Sequence, residues 1–128
     1  MNVVTKALTT KGAGDAAEAL ALAHLQGCGL TLVRRNYRLA RGPRSRGGEI
    51  DLILRDRDGT LVFVEVRSRR DTDHGGAAAS VSHAKQRSLV LAARHYLLGC
   101  AVPPPCRFDV IAIDGERVEW LRAAFDAD

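Results

Sequence analysis

The chain has 128 residues, 46% of them hydrophobic and 27% charged, with a formal net charge of +4. This is the length of one domain able to bury a core and the composition of an ordinary globule. No apolar run approaches the ~18 residues of a membrane span, and the N-terminal stretch lacks the order of a secretory signal, so a cytoplasmic protein with no membrane partner is expected.

From residue 14, "GDAAEALALAHLQ" is rich in Ala and Leu with no Pro, and "GCG" at 27–29 supplies a stop, which predicts a helix. "LTLVRRNYRL" (30–39) reads as a first strand and "ARGPRSRGG" (40–48) as a Gly/Pro/Arg loop. "EIDLILRD" (49–56) and "TLVFVEVRSR" (60–69) flank Asp58-Gly59, a hairpin signal. A loop of small residues, "DTDHGGAAAS" (71–80), leads to "SHAKQRSLVLAARHYLLG" (82–99). There Leu89, Ala92, Ala93, Tyr96 and Leu97 fall at the spacing of a helix core face. The three prolines of "AVPPPC" end that helix, and "RFDVIAID" (107–114) and "RVEWLRA" (117–123) form a second hairpin across Gly115. Helix, three strands, helix and two strands predict a single α/β domain, core about 12–123, with a mixed five-stranded sheet flanked by helices.

Cys28, Cys100 and Cys106 are odd in number and contain no C-x-x-C pair. Their spacing to His24, His74, His83 and His95 matches no common zinc motif, so buried free thiols are expected. Charge is more informative. Between Arg34 and Arg70 stand eleven Arg against five acids, a local balance of +6, while the rest of the chain is slightly acidic. A basic segment on a near-neutral domain is the footprint of a polyanionic partner, although a solvated Arg-rich face gives the same count.

The acids inside that segment are unusual, because Glu49, Asp51 and Glu65 interrupt strands that otherwise read as buried. Alternation puts Glu49, Asp51 and Ile53 on one face of their strand and Phe63, Glu65 and Arg67 on one face of the next. A hairpin loop of three or five residues would oppose Asp51 to Glu65 at ~5 Å, whereas a two-residue loop would oppose Asp51 to Val66. Two buried carboxylates repel, so one takes up a proton unless a cation neutralises them. Arg67 is one candidate cation. A hard divalent ion, Mg²⁺ or Mn²⁺, is the other, and with the surrounding Arg it would suit phosphodiester chemistry. The same pattern also fits a wet face with cross-strand ion pairs worth ~0.2–1 kcal/mol, against which Ile53 and Phe63 argue that the face is covered.

The stretches "GDAAEALA", "RNYR", "GEIDLI", "VFVEVRSR", "HGGAAASVSHAKQRSLVLAARHYL" and "RFDVIAI" cover about residues 12–114. In order and spacing they resemble the YraN-like family of small bacterial proteins. That family is similar to archaeal Holliday junction resolvases and the restriction-endonuclease-like PD-(D/E)xK group. The resemblance implies a restriction-endonuclease-like mixed sheet, a Mg²⁺ or Mn²⁺ site on nucleic acid (DNA in preference to RNA), and a homodimer, for which the sequence marks no face. It makes Asp51 and Glu65 metal ligands, with the Val66 carbonyl as an extra ligand and Glu18 as the N-terminal acid that completes resolvase-type sites. The helix pattern alone would leave Glu18 on a solvated arc of roughly 80° with Asp15 and Gln26. Glu49 recurs in the motif without an assigned role.

One departure matters. Where the PD-(D/E)xK pattern has Lys, this chain has Arg67, and a guanidinium does not give up its proton. It can still fork hydrogen bonds to a phosphate and stabilise developing charge. Sixteen of the nineteen basic residues are Arg, so the exchange also fits compositional drift. Arg69 and Lys85 are candidate phosphate contacts, and the loop residues Arg41, Arg44 and Arg46 could grip a backbone without reading sequence. Two functions follow as expectations. One is a metal-dependent endonuclease on structured or branched DNA, with Arg67 stabilising the attacked phosphate. The other is a nuclease-fold nucleic-acid-binding module in which Arg67 has replaced the catalytic lysine.

Overall fold

A computed structural model describes residues 10–39, 47–68 and 81–127. Helix α1 (Thr10–Gly27) precedes strands β1 (Thr31–Arg38), β2 (Glu49–Arg55) and β3 (Leu61–Ser68). Helix α2 (His83–Leu97) follows, then β4 (Cys106–Asp114) and β5 (Arg117–Phe125). The predicted order of elements is the observed one.

The strands lie in one sheet in chain order, β1-β2-β3-β4-β5. Every neighbouring pair is antiparallel except β3 and β4, which run parallel because α2 carries the chain between them. The sheet is therefore mixed, as expected.

Alternation along the strands supplies each helix with a face. Leu52, Leu54, Val62, Val64, Ile111 and Ile113 pack with Ala21 and Leu25 of α1. Ile53, Leu61, Phe63, Phe108, Val110 and Ala112 pack with Leu89, Val90, Ala92 and Ala93 of α2. Helices thus cover both faces, and this is why Leu52, Ile53 and Leu54 are consecutive and all fully buried. The spacing of Leu89, Ala92 and Ala93 had marked the inward face of α2 correctly, with Tyr96 and Leu97 partly buried against the same core.

Helix ends follow from sequence as well. The stop of α1 is Gly29, at φ 98°, two residues beyond the last helical turn. Gly29 N donates to Gln26 O and Leu30 N to Leu25 O at 3.0 and 3.1 Å, a Schellman closure whose apolar pair, Leu25 and Leu30, joins the α1-side core. At the start of α2, Ser82 Oγ accepts from Lys85 N at 3.1 Å, the bond that makes Ser a preferred N-cap.

Among the described residues no helix is long and apolar enough to cross a membrane. Cys28, Cys100 and Cys106 are all free; Cys28 and Cys106 are exposed and Cys100 is half-buried, so the expectation of buried thiols is corrected. Each lies at an element boundary, where little of the core reaches it.

Candidate functional site

The β2–β3 ladder pairs Leu52 with Val64, Ile53 with Phe63, Leu54 with Val62 and Arg55 with Leu61. This is the register that opposes Asp51 to Glu65. The connection, residues 56–60, is closed by Asp56 N donating to Thr60 O at 2.9 Å and Gly59 N donating to Asp56 O at 3.0 Å.

Regular pairing stops one step short of the acids. Beyond Leu52 and Val64 the ladder is continued by a side chain, since Val66 N donates to Asp51 Oδ2 at 2.8 Å. The Asp51 carboxylate therefore occupies a place in the sheet that a strand carbonyl would otherwise fill. Its carboxyl also contacts Glu65 through a shared hydrogen bond. Burial raises the Asp51 pKa, opposed chiefly by the Val66 amide.

Glu65 belongs to the α2 side of the sheet, and its side chain is only 4% exposed. Two cations meet the same oxygen, Oε2: Arg67 Nη1 at 3.4 Å and Lys85 Nζ at 3.6 Å. Arg67 is next but one on the same strand, while Lys85 arrives from the first turn of α2. Even so, burial first and the Asp51 charge second push Glu65 up to about 8, against the pull of Lys85 and Arg67. Both carboxyls are thus pushed toward the protonated form, so the pair resists carrying two negative charges at once. The face bearing these acids is covered at Glu65 and half-covered at Asp51 and Arg67.

Glu18 stands on α1, on the other side of the sheet. The helix pattern places it on a solvated arc, but its side chain is only 14% exposed because α1 packs across the sheet, centred on β3, with Arg35 of β1 beside Glu18. Its pKa is raised by burial and by Asp51, and lowered by Arg35, whose Nη2 is 3.9 Å away. Glu18 Oε1 is buried and accepts no hydrogen bond. Asp51 thus lies between Glu18 and Glu65, within electrostatic reach of both. Among the described residues, however, no three His, Cys, Asp or Glu side chains draw together as a metal-holding group. Any ion here would rest on Asp51 and Glu65, with the backbone at Val66.

Glu49 pairs with Arg38 Nη2 at 3.5 Å, opposite it on β1, and adds to the negative field at Asp51 and Glu18. Arg41, Arg44, Arg46 and Arg69 lie outside the described residues. Sequence reading missed Arg35 and Arg38, which look like ordinary members of an Arg-rich strand until β1 is laid against β2. It also passed over Asp109, a lone acid in the apolar run "RFDVIAID", which could have raised the same question as Asp51.

Asp109 has a different answer. It is fully buried, and both of its oxygens are taken. Arg107 Nε donates to them at 3.0 and 3.2 Å, Trp120 Nε1 to Oδ2 at 2.9 Å, and Ala123 N to Oδ1 at 2.9 Å. Arg107 Nη1 also reaches Asp56 Oδ2 at 3.0 Å. Both Asp109 oxygens are paired and bonded, as a buried charge in a scaffold must be, although Arg107 Nη2 is buried without a hydrogen-bond partner. The Asp51–Glu65 pair differs in setting two carboxyls against each other.

The family model that matches the chain is described as an uncharacterised protein family, UPF0102, and it spans residues 17–113. All three acids of the site, and Lys85, fall inside that span. A UPF0102 protein of Methylibium petroleiphilum is 68% identical over 120 residues, covering 94% of this chain and 98% of the relative. A UPF0102 protein of an Acidovorax species is 60% identical over 127 residues, covering 99% and 94%. One from Cupriavidus taiwanensis is 60% identical over 115 residues, covering 90% and 83%.

Proposed function

The chain belongs to the uncharacterised protein family UPF0102, and we propose that it is a divalent-metal-dependent endonuclease that hydrolyses phosphodiester bonds in branched or otherwise structured DNA. The observation that carries this reading is the buried Asp51–Glu65 pair, in which Glu65 is raised to about 8 although two cations face it. A pair still holding a proton beside two cations lacks positive charge, and a doubly charged ion is a simple way to supply it.

The donors suit such an ion. Mg²⁺ takes one or two carboxylates and keeps waters for its remaining positions, and Mn²⁺ accepts the same oxygen ligands. Asp51, already oriented by Val66 N, and Glu65 would hold it, with the Val66 carbonyl as a further ligand and Glu18 completing the negative charge. When bound, the ion polarises a phosphoryl oxygen and makes water acidic enough to be a nucleophile near neutral pH. Arg67 and Lys85 sit where a scissile phosphate would need cations, and both would trade Glu65 for it. Arg67 can fork two hydrogen bonds to the phosphate oxygens and stabilise charge as it develops, but it cannot carry a proton.

Incubation of purified protein with branched and linear DNA and Mn²⁺ tests the reading. Cleavage is expected, and Asp51→Asn should lower its rate by a factor of a hundred or more, as loss of a metal ligand does. Cleavage that survives this substitution would sink the proposal.

The identity of residue 67 favours one alternative, a nucleic-acid-binding module on a nuclease fold. It predicts salt-sensitive binding without metal-dependent turnover, and a gain of cleavage in Arg67→Lys.

A further inference from the structure

Beside the acid pair, the N-terminal turn of α2 and the edge formed by Arg38 and Glu49 enclose a cleft of about 630 Å³. Gly48 and Ser88, packed against each other, form part of its wall with Ser82, and Lys85 stands where the cleft meets Glu65. Resting on the nuclease reading, we propose that this cleft seats an unpaired stretch of nucleic acid, one or two nucleotides of a single strand leading into the scissile phosphate.

Shape comes first. A duplex is a stiff rod, too broad to enter a cleft of about 630 Å³. The cleft is open to solvent and has the volume of a small-ligand site. A single strand fits such a space because its backbone can be followed one phosphate at a time.

Charge comes second. Arg38 is 74% exposed and, among the described residues, pairs with the half-buried Glu49, so a phosphate can compete for it. Lys85 provides a second cation at the inner end. The Lys85 amide is already bonded to Ser82 Oγ, so these side chains, and not the helix terminus, supply the field. None of the described lining residues is aromatic, which leaves backbone charge rather than base stacking as the source of affinity. Binding should then tolerate sequence and depend strongly on salt.

Ala84 allows a test that spares the acids. It is exposed, lines the cleft, and lies in the first turn of α2, where a carboxylate is favourable to the helix. Ala84→Glu therefore leaves the fold intact while placing negative charge in the cleft, and Ala84→Gln controls for bulk. The probe is a short fluorescent oligothymidylate, compared with a blunt duplex of equal length, in EDTA so that no cleavage intervenes. The single strand should bind more tightly than the duplex. Ala84→Glu should weaken it about tenfold, with Ala84→Gln close to wild type. Arg38→Ala should lower the slope of log affinity against log salt by about 0.7, the value of one phosphate on a single strand. Equal binding of the two probes, or an Ala84→Glu protein that binds the single strand like wild type, overturns the proposal. Because the assay needs no turnover, its failure leaves metal-dependent cleavage standing, and absence of cleavage with Mn²⁺ leaves the binding result readable.

Discussion

Glu65 is surrounded by reasons to ionise and by stronger reasons not to. In the unfolded chain its carboxyl titrates near 4.5; in the folded protein it titrates at about 8, with burial the largest cause and Asp51 the next. Between those values the folded protein holds a proton that the unfolded chain has released, so stability falls as pH rises, by at most about 1.4 kcal/mol per unit. Glu65→Gln should flatten that dependence between about pH 5 and pH 8 in denaturant titrations, and should be the more stable protein at the upper end. An unchanged slope would show that the carboxyl is not held protonated. If the pair binds Mn²⁺, the ion displaces this proton, and the rise in melting temperature that it produces should grow with pH up to about 8. That measurement needs no substrate and no turnover.

At the scale of elements, the site depends on how closely α2 approaches β2. A Cβ on Gly48 would lie 2.5 Å from Ser88 O and 2.9 Å from Ala92 Cβ, so glycine is what lets the helix backbone come so near. Gly48→Ala should cost about 1–3 kcal/mol, the range for overpacking, read as a lower denaturation midpoint. By shifting α2 it should also weaken the Lys85 contact with Glu65 and so change the pH dependence just described. The elements themselves were legible in the sequence, because alternation, prolines and caps are local signals. The opposition of Asp51 to Glu65 was legible too, since a hairpin register follows from loop length. Glu18 was not: whether a helical acid faces water or sheet depends on what the helix rests on, and one sequence does not contain that. Arg35, Arg38 and Lys85 were hidden as partners for the same reason, being brought to the acids by β1 pairing and by α2 packing.

For the molecule as a whole, the same five strands carry two buried acid centres with opposite characters. At the hairpin end, Asp109 is matched by Arg107, Trp120 and the Ala123 amide, and ties the β4–β5 pair together where its register shifts. Asp109→Ala takes the acceptor from Arg107 Nε, Trp120 Nε1 and the Ala123 amide and leaves Arg107 its contact with Asp56. It should cost about 3–5 kcal/mol, measured by chemical denaturation. At the other end, the isosteric neutral substitutions Asp51→Asn and Glu65→Gln should leave stability equal or improved and, on the nuclease reading, take away cleavage. A scaffold acid and an acid held for the proposed chemistry are thus separable by the sign of one measurement.

Asp51 is also a piece of the framework, because its carboxylate lies in the seam between β2 and β3 and takes the Val66 amide. An asparagine carbonyl can keep that seam shut, whereas an alanine would leave the amide facing a gap and let the strand ends fray. If the proposed chemistry also runs through this carboxylate, only an isosteric exchange can disarm the protein without also unstitching it.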